Sequence, residues 1–191
     1  MAIMRAQGGQ VLARDGTVLA AGDDTSVTVV DAVPVRRVPT DVRSLLTSSL
    51  AAMRAQARAA DVTLDVSVDE RVPSRVRIDG GKIAWAISAL VGNALRYVRH
   101  GSQSMPGGSI AVRVGYQAIT PSIGIDVQDD GPGIPPERLA RLFDAAPGEP
   151  APALGLAIVR DFVVAHAGHL DIRSGGEAEP GTTVRITLPI S

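Results

Sequence analysis

The chain has 191 residues, and four short stretches in it break the local residue pattern in ways that point to ligand chemistry. Asp129 is the first. Ile123, Ile125 and Val127 alternate along an extended run, so their side chains share one buried face. Asp129 has the same parity, which puts a carboxylate at the end of that apolar face. Such a group needs a hydrogen-bond donor; a cap on the following turn is the plain reading, and a ligand is the other. The second stretch is Asp130-Gly131-Pro132-Gly133-Ile134-Pro135. Glycines flanking a proline let backbone approach a ligand closely, although most such turns only reverse the chain. The third is Asn93, which shares a helix face with Ala89, Arg96 and His100 at spacings of three or four. Asparagine is a modest helix former on a helix that is otherwise aliphatic, so it either belongs to a solvated stripe or binds something. The fourth is Gly155, at the start of the helical run from Leu154. There, free N–H groups and the helix dipole favour an anion; a packing glycine between helix and strand is the alternative.

Regular elements must hold these residues. Thr40 reads as the N-cap of a helix carrying Leu45, Leu46, Leu50, Met53 and Ala57, which runs to about Ala60. Val62–Val68 alternates as a half-buried strand, and Val76 and Ile78 suggest another. A second helix spans about Gly81 to His100, with Ile83, Ile87, Leu90, Val91, Ala94 and Val98 as its apolar stripe. Strands follow at Ile110–Gln117 and Ser122–Asp129, then a short helix opened by Pro135-Pro136. A long helix over Leu154–Ala167 and a hairpin of Leu170–Arg173 with Thr183–Leu188 close the chain. This order predicts an α+β fold, a two-layer sandwich whose mixed, mainly antiparallel sheet is covered by helices on one face. Residues 1–39 read as a separate extension: Val11–Ala13 and Val18–Ala20 form a hairpin turning at Asp15-Gly16, and Pro34 and Pro39 suit edge strands or a linker. Residues 40–191 form the main domain.

Together the four stretches resemble the ATP-binding catalytic domain of sensor histidine kinases, whose Bergerat fold is shared with DNA gyrase, a heat-shock chaperone and mismatch-repair ATPases. The resemblance covers about residues 40–190. Asp79 and the helix ending Asn93-Ala94-Leu95-Arg96-Tyr97 look like the N box. Asp129-Asp130-Gly131-Pro132-Gly133-Ile134-Pro135 looks like the first glycine box, and Leu142-Phe143-Asp144 like the F box. Gly155-Leu156-Ala157-Ile158-Val159, His166-Ala167-Gly168 and Gly181-Thr182-Thr183-Val184 complete the pattern.

The resemblance implies ATP and Mg²⁺ as cofactors. By that analogy Asp129 accepts from the adenine amino group, Gly131, Gly133 and Ile134 belong to the loop over the base, and Phe143 belongs to the F box. Asn93 coordinates the metal, Arg96 neutralises phosphate charge, Tyr97 packs on the nucleotide, Gly155 and Leu156 bring backbone N–H groups to the phosphates, and Thr182 lies near the adenine. The implied reaction moves the γ-phosphoryl group to a histidine. None of His100, His166 and His169 stands in a dimerisation-helix motif. The histidine is therefore expected from a dimerisation domain or partner protein, with a response regulator downstream and a homodimer as the natural assembly.

Departures from the pattern are informative. Ala89 stands where ATP hydrolases of this fold carry a water-activating glutamate. Ala151, Pro152 and Ala153 replace glycines of the second glycine box, and Asp144–Leu154 is a short, proline-rich lid. They raise an alternative: a degenerate, non-catalytic member acting as a regulatory or phosphotransfer interaction module with weak ATP binding or none.

Composition narrows the field further. Apolar residues make up 45% and charged residues 20%, which excludes global disorder. The net charge of −1 excludes a broad basic surface for nucleic acid. With no cysteine, disulfides, thiolate metal sites and a cysteine nucleophile are out. Aromatics at 3% make the core aliphatic, and Lys82 is the sole lysine. No run is long enough to span a bilayer and no export leader is visible, so a cytoplasmic domain without membrane contact is expected.

Overall fold

The computed structural model describes residues 5–7, 10–12, 18–21, 33–140, 142, 154–175 and 180–190. The chain divides into two units, Met1–Ala32 and Val33–Ser191. In the first, β1 (Arg5–Gln7), β2 (Gln10–Leu12) and β3 (Val18–Ala21) form an antiparallel sheet in that order, with an irregularity between Val11 and Leu12. The expected pairing of the runs at Val11 and Val18 is present. The Asp15-Gly16 turn lies outside the described residues.

The second unit opens with β4 (Val38–Thr40), which pairs antiparallel with β6 (Val76–Ile78). This pairing corrects the expected helix start. Thr40 is still strand, and its hydroxyl donates to Val38 O at 3.0 Å. The cap falls to Asp41, whose carboxylate accepts from the Ser44 N–H at 3.0 Å. The expected single helix is two, α1 (Val42–Ser49) and α2 (Ala51–Ala59). They meet at Leu50, where ψ is 2° and the side chain is fully buried.

β5 (Thr63–Val68) follows, and α3 (Gly80–Tyr97) starts after β6. Asp79 caps α3 by accepting from the Lys82 N–H at 3.2 Å. This helix ends sooner than its periodicity predicts. Val98 turns extended, with ψ 153°, because its side chain is buried in the core. His100 therefore lies off the helix and does not share the Asn93 face; its Nε2 sits 3.0 Å from Leu95 O.

β7 (Ser109–Gln117), β8 (Ser122–Asp129), α4 (Pro136–Ala140), α5 (Leu154–Ala165), β9 (His169–Ser174) and β10 (Thr182–Pro189) complete the unit. The main sheet runs β5-β7-β8-β10-β9, parallel between β5 and β7 and antiparallel elsewhere. Its alternation decides which face is covered. Ile110, Val112 and Val114, then Ile123, Ile125 and Val127, then Val184, Ile186 and Leu188 are buried with Leu46, Ile83, Ile87 and Val159 of the helices. Each such aliphatic side chain contributes about 1.5–3 kcal/mol. The open face carries polar side chains such as Arg113 and Asp126, and there Arg185 grips Asp126 through two bonds of 2.6 and 2.7 Å. The fold is the α+β sandwich that the element order implies, with helices on one face. No helix among the described residues is long and apolar enough to cross a membrane.

Candidate functional site

Three elements end at one corner of the covered face: the C-terminal half of α3, the C-terminal end of β8 and the start of β10. Asp129 closes β8, in register between Ile110 and Thr182. Its Oδ1 accepts from the Gly131 N–H at 2.9 Å, which makes the tight turn after the strand. Burial nonetheless holds the Asp129 carboxyl above its ordinary value; the backbone N–H groups of Gly131 and Thr182 pull it down and the neighbouring Asp130 charge pushes it up. The adjacent Asp130 has a different task. It accepts from Ser109 N–H at 2.8 Å and from Ser109 Oγ at 2.9 Å, and so ties the start of β7 to the loop.

The loop that follows is locked by backbone geometry. Gly133 has φ +77°, and a Cβ there would stand 2.5 Å from Gly175 O. Ser174, at the end of β9, holds the loop from the other side. Its Oγ accepts from the Ile134 N–H at 2.6 Å and donates to Gly181 O at 3.1 Å. This serine joins the glycine loop to the closing hairpin. Nothing in the local sequence pattern marks it, because both partners are distant in the chain.

α3 supplies the opposite wall. Asn93 is half-buried, and among the described residues its amide has no hydrogen-bond partner. Arg96 and Tyr97 follow one turn later, both exposed, with Tyr97 retaining 54% of its accessible surface. The start of α3 is anchored far from these groups. The Asp79 N–H donates to Nε2 of buried His166 (3.0 Å), whose Nδ1–H donates to Phe162 O (2.6 Å). These partners fix the neutral Nδ1–H tautomer and bind α5 to the cap of α3. Lys82, the sole lysine, pairs with the Asp79 carboxylate at 3.0 Å and lies outside the corner.

Between these walls lies a cavity of about 430 Å³. Asn93, Arg96, Tyr97, Asp129, Gly133, Ile134, Gly155, Leu156 and Thr182 all line it. Gly131 does not; it serves by bonding Asp129. Phe143 and the lid lie outside the described residues. Leu90, Val127, Leu142 and Val184 provide apolar walls, a role indistinguishable in sequence from ordinary core. Arg138, on the exposed face of α4, also reaches the lining, and no sequence motif singles it out. Ala89 is half-buried against the core and is not among the lining residues. At Gly155 an added Cβ would meet nothing within 4 Å among the described residues.

Residues 78–191 match the family described as histidine kinase-, DNA gyrase B- and HSP90-like ATPase. The signal transduction histidine-protein kinase/phosphatase MprB of Mycolicibacterium smegmatis is 34% identical over 176 residues, covering 88% of this chain and 33% of that protein. The sensor protein DivL of Caulobacter vibrioides is 34% identical over 135 residues, covering 70% of this chain and 16% of that protein. This chain thus spans a third or less of the length of these relatives. Among solved structures, a mycobacterial sensor histidine kinase MprB aligns with TM-score 0.62 at 27% identity, covering 80% of this chain and 98% of that one. Full-length ShkA in complex with AMPPNP aligns with TM-score 0.69 at 24% identity, covering 84% and 32%, a likeness of fold. None of these relatives favours the non-catalytic alternative.

Proposed function

Because the chain belongs to the histidine kinase-, DNA gyrase B- and HSP90-like ATPase family, we propose that it binds ATP in the cavity beside Asp129 and serves as the ATP-binding catalytic domain of a two-component sensor histidine kinase. One observation carries this reading: a half-buried carboxylate faces an otherwise apolar cleft whose far wall presents an unpartnered amide and a guanidinium. The carboxylate accepts the exocyclic amino group of adenine, and Leu90, Val127, Val184 and Ile134 enclose the base. Arg96 neutralises phosphate charge, since among the described residues it has no carboxylate partner. The start of α5 offers N–H groups to the phosphates.

Mg²⁺ fits this donor set in a limited way. The described residues contain no cluster of three metal-binding side chains, so Asn93 Oδ1 would be the protein's ligand. Such a site suits Mg²⁺, which keeps several waters and takes phosphate oxygens as co-ligands. When bound, the ion neutralises the charge that spreads over the transferred phosphoryl group. Ala89 leaves no carboxylate one turn before Asn93 to activate water, which favours transfer over hydrolysis.

The accepting histidine comes from a dimerisation domain or partner protein. Two of this chain's own histidines are engaged: His166 through both ring nitrogens and His100 with Leu95 O. His169 pairs with Thr187, five residues along the hairpin from the cavity end at Thr182, or roughly 17 Å. A response regulator would then take the phosphoryl group, with a homodimer in the cytoplasm as the working assembly.

Titrating Mg·ATP while following the thermal midpoint tests the reading. Saturation to 100-fold above Kd contributes about 2.7 kcal/mol, or roughly 5–10 °C for a chain of this size. An unmoved midpoint at millimolar ATP would sink the proposal. Gly155→Ala separates binding from folding. The free protein should keep or slightly raise its midpoint, since alanine favours the helix by about 1 kcal/mol. ATP affinity should drop about tenfold, because the new methyl enters space reserved for phosphate. Unchanged ATP affinity in calorimetry would remove Gly155 from the site.

A further inference from the structure

A second concavity, of about 480 Å³, lies at the β5 edge of the main sheet, between α2 and β5. Its walls are Arg54 and Arg58 on one side and residues 62–66 on the other. The turn at Ala60 and Asp61 folds the strand back beside the helix, and the Val62 N–H donates to Ala57 O at 2.8 Å. Nothing in the nucleotide reading uses this groove.

Two features of the groove are chemically unfinished. The first is the backbone of β5. Among the described residues it is the terminal strand of its sheet and pairs with β7 alone. The Thr63 N–H donates inward to Gly108 O at 3.0 Å. By the alternation of a parallel ladder, Leu64 and Val66 therefore turn their backbone groups outward. A bare edge of this kind is a template for another extended chain. The second feature is charge. Among the described residues neither Arg54 nor Arg58 has an ion-pair or hydrogen-bond partner. A cation at the end of a helix meets the helix dipole, which accounts for Arg58, in the last turn of α2, but not for Arg54.

Geometry joins the two features. Arg54 and Arg58 are one helical turn apart, about 6 Å along α2. Alternate side chains of an extended strand repeat every 6.6 Å or so. We propose that this groove is a docking site for an extended acidic segment of a partner protein. The segment adds to the free edge of β5 and presents carboxylates at two alternate positions to Arg54 and Arg58. Main-chain hydrogen bonds supply affinity and the arginine pair supplies register, as in strand addition generally. Asp65, also in the lining, has its side chain on the other face of the strand from Leu64 and Val66. It selects against acidic residues at the intervening positions, so the partner strand is acidic on one face only.

The test uses the whole chain and a labelled peptide, Thr-Val-Glu-Thr-Glu-Val-Thr, with a twin carrying lysine in place of both glutamates. The chain should bind the glutamate peptide at least tenfold tighter than its twin, and binding should slow hydrogen exchange at the Leu64 and Val66 amides. Arg54→Glu with Arg58→Glu should reverse the peptide preference and leave ATP affinity unchanged. Arg58 is exposed and Arg54 half-buried, and an unaltered circular dichroism spectrum checks the fold. Failure of the glutamate peptide to bind at millimolar concentration, equal binding of both peptides, preference unmoved by the charge reversal, or binding without protection of those two amides would each overturn the proposal.

Discussion

Asp129→Asn is expected to weaken ATP binding by at least about 30-fold, the loss that follows from removing one charged hydrogen bond and leaving a mismatched one. The reason is a donor count. Asp129 Oδ1 accepts from Gly131 N–H at 2.9 Å, the Thr182 N–H also favours the ionised carboxylate, and adenine brings a further donor. A carboxylate has acceptors for all three. Asparagine has one acceptor oxygen and one NH₂ group, so at least one of these N–H groups would face another donor. The free protein should show the opposite trend. Burial holds the Asp129 carboxyl above its ordinary value. A raised carboxylate pKa in the folded state means that the ionised form opposes folding, so this group lowers stability as pH rises past the ordinary aspartate range. The asparagine variant carries no such charge, and its midpoint at pH 7 without ligand should stay level or rise by about 2–4 °C per kcal/mol relieved. Calorimetry with ATP and thermal melts of the free chain read the two effects separately. ATP affinity within threefold of the parent would remove Asp129 from the adenine site, and a lowered midpoint would show that its carboxylate supports the fold.

Gly181→Ala should cost about 3 kcal/mol of stability from combined backbone strain and contact. Gly181 has φ +120°, which alanine seldom adopts, and a Cβ there would stand 2.4 Å from Asp129 O. That neighbour is backbone at the end of β8, so it cannot rotate away as a side-chain tip would. The strain is delivered to Asp129, the residue proposed to receive the base, and ATP affinity should fall together with stability. Gly124→Ala is the matched control. It lies in the same sheet, its φ is ordinary, and an added Cβ meets nothing within 4 Å among the described residues. Urea unfolding of both variants decides the matter. If Gly181→Ala unfolds within about 1 kcal/mol of the control, a difference typical of an unremarkable substitution, the left-handed turn is not what positions Asp129.

Much of the site was legible from residue types because each one breaks a local rule. Asp129 continues an apolar face, Asn93 interrupts an aliphatic helix, and glycines gather where a strand ends. Local rules are set by neighbours in the chain, so a residue placed for a ligand stands out against them. Ser174 and Arg138 gave no such signal. A serine at a strand end and an arginine on a short helix are ordinary locally, and only the approach of distant segments gives them work. The same limit explains the displaced helix boundaries. Capping preference and periodicity place the helix ends at Thr40 and about His100, but pairing of β4 with β6 and burial of Val98 end the helices at other residues.

The linear order of residues thus determined the element types, the covered face of the sheet and the chemical character of the corner, because period-two and period-3.6 burial are properties of short segments. The tertiary structure decided what those residues mean to one another. It made His166 a brace for the α3 cap, and committed Asp130 to holding β7 while leaving Asp129 facing the cavity. Among the described residues it also left the β5 edge and the Arg54–Arg58 pair open. Each of these depends on which segments, far apart in the chain, are brought within a few ångströms, and that is set by the packing of the whole core.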